Sequence, residues 1–583
     1  MNIALTAPPI TINNFPKLGT STYTFRVEIN EKACMGCGKC VVECPSRILE
    51  LVVKNTASLS SPACSVICPA GNDMRAAMRA VADQGSFEQA WRIITRTNPM
   101  PAVTGRVCHH PCESECNRTH LDAAVNINQF ERSVGDYGID KKMAFDKSKK
   151  QRKEKVAVVG AGPSGMSCAY HLARLGYQVT VFDANEKAGG MLRYGLPRYR
   201  LPDNVLDAEL RRIIDLGIEV RYSTRLGKDL DLGRLRQDFN AIYLALGAQN
   251  DISLGLKGEN APNSFSALDF LRKFAGKKAF RVGSKVTVIG GGNVAVDVAR
   301  SALRCGAREV TMVCLEQRYE MPAWEREVEE TIAEGIKIVN GYGPMEIITR
   351  DECITDIVFK RCTSVFDSGG CFCPAYDEND RITLATDSLV VAIGQRPDCS
   401  CLAGKDGITA LAGGCVEIKD AKNLATSLEG VFAGGDVASA AGRGTVSGAI
   451  GMGHRGALAI DAYLQGKAGR PREFAMIRTT DISDDRFYKA LPRNDAGALL
   501  SAARLASPEA EVNLPLEVSR VIEETKRCFA CGVGKARYNG PQRDDAFNLA
   551  CHNCHNCVVI CSERAIEFNY CIRTKSGDRD KIR

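Results

Sequence analysis

The chain has 583 residues, 45% of them hydrophobic and 25% charged, with a formal net charge of +7. That length predicts several domains of roughly 100 to 200 residues each, the composition is that of a soluble globular protein, and no uncharged apolar run of about 18 residues is present to span a bilayer. Twenty-six cysteines are too many for disulfides in a reducing compartment and point to cluster ligation. The opening MNIALTAPPITINNF lacks the basic start and apolar run of a signal peptide, so a cytoplasmic location is expected. Cluster-bound thiolates carry negative charge that the formal count omits, and no long Lys/Arg run appears, so no nucleic-acid partner is inferred.

In chain order, residues 1–54 form an irregular lead-in and then a ferredoxin-like segment, Cys34-Met-Gly-Cys37-Gly-Lys-Cys40-Val-Val-Glu-Cys44-Pro45. Three thiolates two residues apart wrap one [4Fe–4S] cube, and the cysteine before proline usually serves a neighbouring cluster. A zinc knuckle is the alternative for such a motif. Residues 55–150 read as a helical, cysteine-bearing segment with Cys64-Ser-Val-Ile-Cys68-Pro69 and then Cys108, Cys112 and Cys116.

The stretch 69–116, PAGNDMRAAMRAVADQGSFEQAWRIITRTNPMPAVTGRVCHHPCESEC, resembles the N-terminal iron–sulfur adapter of the glutamate synthase small-subunit family. That family also includes the N-terminal half of dihydropyrimidine dehydrogenase and the large subunit of ferredoxin:NADP transhydrogenases. The resemblance implies two [4Fe–4S] clusters. One maps onto Cys68, Cys108, Cys112 and Glu131, and the other takes Cys64 and Cys116. The family's further C-x-x-C, just upstream of Cys64, is missing, because residues 45–63 contain no cysteine. Either that cluster is absent or Cys44 and its neighbours supply the missing thiolates, and the second reading is favoured. His109, His110 and His120 read as bystanders.

Residues 155–192, KVAVVGAGPSGMSCAYHLARLGYQVTVFDANEKAGGML, read as a dinucleotide-binding βαβ unit. Gly160 permits the tight turn, Gly162 lets backbone approach a pyrophosphate, Gly165 allows close helix–strand packing, and Pro163 and Ser164 open the helix. Asp183 ends the next strand as the acceptor for a ribose diol. Gly190, Met191 and Tyr194 then match the family segment that passes the flavin, Met191 and Tyr194 as packing residues. No catalytic acid or base is assigned, since hydride transfer between nicotinamide and flavin needs only aligned rings.

A second unit starts at Lys285, with Gly290-Gly-Gly292-Asn293-Val294-Ala295 as the G-x-G-x-x-A variant. AIGQRPD, including Gly394, and VFAGGDV, including Gly435 and Asp436, complete a two-dinucleotide flavoprotein. The resemblance sets Asp436 against the flavin ribityl chain, and the helix N-terminus at Thr445 and Val446 suits the flavin pyrimidine carbonyl. In NADPH-using relatives the second strand ends in YRR, whose arginines grip the 2′-phosphate. Here Cys314-Leu315-Glu316 stands there, and a carboxylate accepts from a free diol and repels a phosphate, so NAD(H) is expected over NADP(H). Residues 353–385 read as a β excursion. The cysteines between 168 and 415 read as packing or surface thiols, and no C-x-x-C lies beside a flavin motif.

A linker is expected over 471–515, then a C-terminal iron–sulfur module with Cys528, Cys531, Cys551, Cys554, Cys557 and Cys561, the role of Cys571 staying open. Its paired C-x-x-C spacing also fits a zinc ribbon, but a ribbon leaves Cys557 and Cys561 idle. The fold class expected is α/β: a Rossmann-like FAD domain (151–280 and 386–470) with an inserted NAD domain (281–385), a helical iron–sulfur adapter (55–150) and ferredoxin-like terminal modules (1–54 and 516–583). The cofactors expected are FAD, NAD(H) and roughly three to four [4Fe–4S] clusters. The chain then reads as an NAD(H)-linked oxidoreductase subunit of a larger redox complex, exchanging electrons with a protein partner or ferredoxin. The rivals are a glutamate synthase small subunit, a subunit of an electron-bifurcating complex, and an electron conduit without nicotinamide chemistry.

Overall fold

A computed structural model describes residues 59–276, 280–402, 407–411, 413–420, 423–439, 444–467 and 490–529. It also describes the backbone of strands Thr22–Ile29, Leu49–Val52, Phe474–Ile477, Lys535–Tyr538, Ile566–Arg573 and Arg579–Ile582. The architecture is α/β, with two five-stranded parallel sheets. The first has the spatial order Val431–Ala433, Ala241–Leu244, Lys155–Val159, Gln178–Phe182, Glu219–Arg221. Its central strands are buried on both faces, which is why they read as unbroken apolar runs.

The second sheet runs Lys337–Asn340, Glu309–Cys314, Lys285–Ile289, Ser388–Val391, Ser264–Ser266. It reaches outside the expected limits of 281–385, because Ser388–Val391 and Ser264–Ser266 extend the pairing beyond the first strand of the βαβ unit. A one-layer antiparallel excursion of Tyr342–Arg350, Cys353–Phe366 and Phe372–Ala385 packs on one face of this sheet, burying Ile347, Ile354, Ile357 and Phe359 with Ile289, Val313, Leu389 and Val391. It contains the β excursion expected over 353–385, turning through Asp367 and Gly370.

The adapter is helical. Met74–Gln84 is capped by Asp73, whose side chain accepts from the Ala76 amide, and stops at Gly85, whose φ of +65° needs glycine. Ser86 then caps Phe87–Ile94 by accepting from the Gln89 amide. These helices and Ile127–Asp140 bury Met74, Met78, Trp91, Ile94, Phe130 and Val134 in one core.

Residues 490–515, expected as part of a linker, are packed chain. The Val512 amide donates to the Tyr199 carbonyl, Glu511 pairs with Arg106 and Arg132 at 2.8 Å, and Arg504 reaches Glu334 of the second domain at 3.0 Å. Helix Val518–Arg527 then lies on the adapter, adding Val521 and Leu516 to its core. The two ends of the chain also meet. Thr22–Ile29 pairs antiparallel with Ile566–Arg573, from Thr22 opposite Arg573 to Ile29 opposite Ile566, and Leu49–Val52 pairs with Lys535–Tyr538. The terminal segments expected as two modules therefore share a backbone ladder.

Candidate functional site

The cleft expected to hold FAD forms at the carboxyl ends of the first sheet, where a doubly wound fold leaves a crevice. Gly160 has φ +110°, and a Cβ there would lie 2.2 Å from the Ala245 carbonyl oxygen. A Cβ on Gly165 would lie 1.8 Å from the Gly160 carbonyl oxygen, so the outer glycines are dictated by backbone contact. The middle glycine, Gly162, has nothing nearer than the Gly190 Cα at 3.8 Å from such a Cβ. That open space lies at the start of helix Pro163–Arg174, which has no side-chain cap on its first amides. The cradle fits a dinucleotide pyrophosphate.

Asp183 braces the same turn. Its Oδ2 accepts from the Ala161 amide at 2.7 Å and its Oδ1 from the Asn185 amide at 2.8 Å. Ser164 shares a 2.9 Å hydrogen bond with Tyr243, and a Cβ on Gly435 would stand 3.0 Å from the Ser164 Cβ, which brings the Gly435-Asp436 turn to the motif. Met191 opens helix Met191–Tyr194 at Gly190, while the Tyr194 hydroxyl takes a bond from the Lys187 amide at 3.2 Å. Asp436 accepts from the Gly444 amide at 2.7 Å. Thr445 caps helix Val446–Leu464, accepting from the Gly448 amide.

The second cleft, expected to hold the nicotinamide cofactor, repeats the scheme. A Cβ on Gly290 (φ +140°) would meet the Ala392 carbonyl oxygen at 2.2 Å, and one on Gly292 would find only Pro322, at 4.0 Å. Asn293 opens helix Asn293–Arg304, Val294 follows it, and Asn293 accepts from the Trp324 amide at 2.9 Å. Gly394, at φ +124°, lies beyond strand Ser388–Val391. The Glu316 carboxylate hangs over the motif: a Cβ on Gly291 would lie 2.7 Å from its Oε2. Arg318, the cation nearest in sequence to that carboxylate, is held by Glu325 through bonds of 2.8 and 2.6 Å.

In the adapter, helices Pro101–Val107 and Ile127–Asp140 cross in backbone contact. A Cβ on Gly105 would lie 2.3 Å from the Arg132 amide nitrogen, and one on Gly135 2.2 Å from that of Ala102. This crossing carries Glu131 toward Cys68, Cys108 and Cys112. Glu131 Oε1 accepts from Asn72 at 2.9 Å, Asn98 at 3.0 Å and Thr104 at 2.8 Å, and Oε2 lies 3.9 Å from His110 Nε2. Burial pushes the Glu131 carboxyl up to about 7. Burial, then the Glu131 charge, pushes the Cys108 thiol up to about 12, and burial raises Cys68 to about 11. Crowding acidic ligands in a dry pocket is unfavourable without a cation, and iron offsets it, so this donor set fits a cluster. Among the described residues no His/Cys/Asp/Glu group converges on a single metal ion, and a four-iron cube spaces its ligands farther apart than one ion does.

The cysteine loop touches both nucleotide domains. Cys108 Sγ lies 3.6 Å from Ser447 Oγ, in the first turn of helix Val446–Leu464. The ring of His109 stacks on Trp324 of the nicotinamide domain at 4.2 Å and 3°. Burial lowers His110 to about 3, which keeps it neutral. Sequence reasoning missed Asn72, Asn98 and Thr104, which orient Glu131, and Trp324. The polar residues flanking the cysteine motif were the available signal. Cys34, Cys37, Cys40, Cys44, Cys531, Cys551, Cys554, Cys557 and Cys561 lie outside the described residues. Cys64, Cys116 and Cys528 line one cavity together, so the residue beside Cys64 and Cys116 comes from the C-terminal segment.

No helix among the described residues is long and apolar enough to cross a membrane. Residues 154–466 match the pyridine nucleotide-disulphide oxidoreductase family, residues 56–143 the dihydropyrimidine dehydrogenase domain II 4Fe-4S family, and residues 27–50 the 4Fe-4S binding domain. The chain is 34% identical over 524 residues to the NADPH-Fe(3+) oxidoreductase subunit beta of Geobacter sulfurreducens, covering 84% of this chain and 77% of that one. It is 36% identical over 428 residues to the NADP(+)-dependent formate dehydrogenase subunit beta of Moorella thermoacetica, covering 69% and 60%. Against the NAD-dependent dihydropyrimidine dehydrogenase subunit PreT of Salmonella typhimurium the identity is 30% over 411 residues, covering 69% and 91%. With two dinucleotide clefts abutting a cysteine-rich adapter, the chain belongs to the pyridine nucleotide-disulphide oxidoreductase family and joins that family's flavin and nicotinamide domains to 4Fe-4S domains.

Proposed function

We propose that this NAD(P)H-dependent FAD and iron–sulfur oxidoreductase subunit takes electrons from NADH and passes them through [4Fe–4S] clusters to a protein redox partner or ferredoxin in a larger complex. Bound FAD would accept a hydride and release single electrons. The chain's own residues do the rest. Gly160, Gly162 and Gly165 admit the FAD pyrophosphate, Asp183 braces that turn, and Gly290, Gly292 and Ala295 do the same for the nicotinamide cofactor. Cys68, Cys108, Cys112 and Glu131 would hold a cluster beside helix Val446–Leu464.

The observation that carries the route is the 3.6 Å approach of Cys108 Sγ to Ser447 Oγ, which makes the adapter and the flavin helix neighbours. NADH is supported by the Glu316 carboxylate above Gly291 and by the engagement of Arg318 with Glu325. The names of the Geobacter and Moorella relatives favour the second reading, NADPH. Anaerobic bleaching of flavin and cluster absorbance by each nucleotide at equal concentration tests both. Faster bleaching by NADH supports the proposal, faster bleaching by NADPH selects the second reading, and bleaching by neither overturns the route.

A further inference from the structure

The adapter sequence holds two thiols, Cys64 and Cys116, with no cysteine between 45 and 63 to accompany them. Their cavity is walled by Met78, Val125, Ile127 and Phe529, and the third cysteine on it is Cys528. We infer that Cys64, Cys116 and Cys528 ligate one iron–sulfur cluster of the adapter, the C-terminal segment supplying the ligand that the N-terminal sequence lacks. This assignment rests on the reading above that the adapter carries clusters. It replaces Cys44 as the expected donor, and it removes Cys528 from a zinc ribbon with Cys551 and Cys554.

Cys528 is held there by a buried polar network. Arg527, 1% exposed at its side chain, reaches Asp122 at 2.9 Å, the Ala123 carbonyl at 2.7 Å and Glu524. Arg118 donates back to the Arg527 carbonyl at 2.8 Å and lies over the Phe529 ring at 5.0 Å. Glu524 accepts from the Asn126 amide at 2.8 Å and the Asn494 amide at 3.0 Å. Nothing in the packing of a short amphipathic helix alone demands so much buried charge, which is costly and serves positioning.

A second observation points to an absent acceptor. Ser65 Oγ, Arg75 Nε and Arg527 Nε are buried donors with no hydrogen-bond partner. Arg75 lines the cavity, and Ser65 and Arg527 are the neighbours in sequence of Cys64 and Cys528. Buried donors are rarely left unpaired, and cluster sulfides and thiolates accept such bonds. Cysteine, apolar wall and cationic rim together suit a negatively charged, water-excluded cluster.

The test uses the full chain purified anaerobically, as wild type, Cys64→Ala, Cys528→Ala and the double variant. Iron, sulfide, zinc and FAD are measured, with electron paramagnetic resonance of the dithionite-reduced protein. FAD content reports folding. If the two residues serve one cluster, each single variant loses about four iron atoms and the same resonance, and the double variant loses no more. If they serve separate clusters, the double variant loses about eight, which overturns the assignment. Full iron in Cys528→Ala, or loss of zinc in place of iron, overturns it as well. A wild-type chain without iron or sulfide would overturn the cluster reading itself, which the single-variant results do not touch.

Discussion

Replacing Glu316 with glutamine keeps the side chain's size and removes its charge. A hydrogen bond from a ribose hydroxyl to a carboxylate contributes ~1.5–3 kcal/mol, and its neutral counterpart ~0.5–1.5 kcal/mol. The loss for NADH is therefore ~1 kcal/mol, about fivefold in kcat/KM. For NADPH the sign reverses. Two charges ~5 Å apart at an effective dielectric of ~20 repel by ~3 kcal/mol, and solvent at this half-exposed site reduces that to ~1–1.5 kcal/mol, about tenfold. The NADH-to-NADPH preference should fall about fifty-fold. Glu325→Ala, which releases Arg318 from its bonds of 2.8 and 2.6 Å, should raise NADPH use without weakening NADH. Anaerobic stopped-flow reduction of the flavin by each nucleotide measures both. A preference unchanged within about threefold in Glu316→Gln would refute the reasoning.

Three further outcomes follow from the packing. Gly451→Ala would put a Cβ 1.8 Å from the Pro69 carbonyl oxygen; it should cost ~1–3 kcal/mol and slow cluster bleaching relative to flavin bleaching, and an unchanged melting temperature would refute the contact. Glu209 is fully buried, accepts from the Ala102 amide at 3.0 Å, and is pushed up to about 7 by burial, with Arg212 opposing. Because its folded value exceeds the unfolded one, its contribution is present below pH ~4.5 and is lost as pH rises through about 7. Glu209→Gln should flatten the decline in melting temperature over that window, and parallel curves would contradict it. Removing residues 1–54 takes away the partner of Ile566–Arg573, so iron should fall by more than the share of the cysteines deleted. An iron loss equal to that share would mean that the ladder does not support the C-terminal motif.

The glycines of both clefts were legible because their demand is local. A φ of +110° at Gly160 and +140° at Gly290 is written into a few neighbouring residues. Glu131 was legible through resemblance alone, since its donors Asn72, Asn98 and Thr104 are spread over the segment and carry no spacing signal. The limits of the nicotinamide domain were not legible. Ser264–Ser266 is three residues long, too short for a periodicity, and joins the sheet by a pairing 125 residues away in sequence, at Leu389. The same holds for the terminal strands, whose partners lie at the opposite end of the chain.

Under the proposed cluster, Cys528 belongs to a different site from the one its spacing suggests. Its C-x-x-C neighbour and the downstream cysteines argue for a module of their own, whereas helix Val518–Arg527 sets Cys528 on the cavity that Cys64 and Cys116 line. That placement comes from Arg118 and Arg527, 409 positions apart and both buried, Arg118 donating to the Arg527 carbonyl and Arg527 reaching Asp122 and the Ala123 carbonyl. Replacing such a buried network with apolar residues is often neutral or stabilising, so stability does not explain why this one is ionic. Direction does: a guanidinium binds at fixed angles, whereas the apolar contacts of Val521 and Leu516 would tolerate a slid or rotated helix. The network therefore specifies where residue 528 stands relative to Cys64 and Cys116. It does so at the point where the chain leaves the adapter for its last cysteines, so that a segment remote in sequence becomes adjacent to the adapter's own thiols.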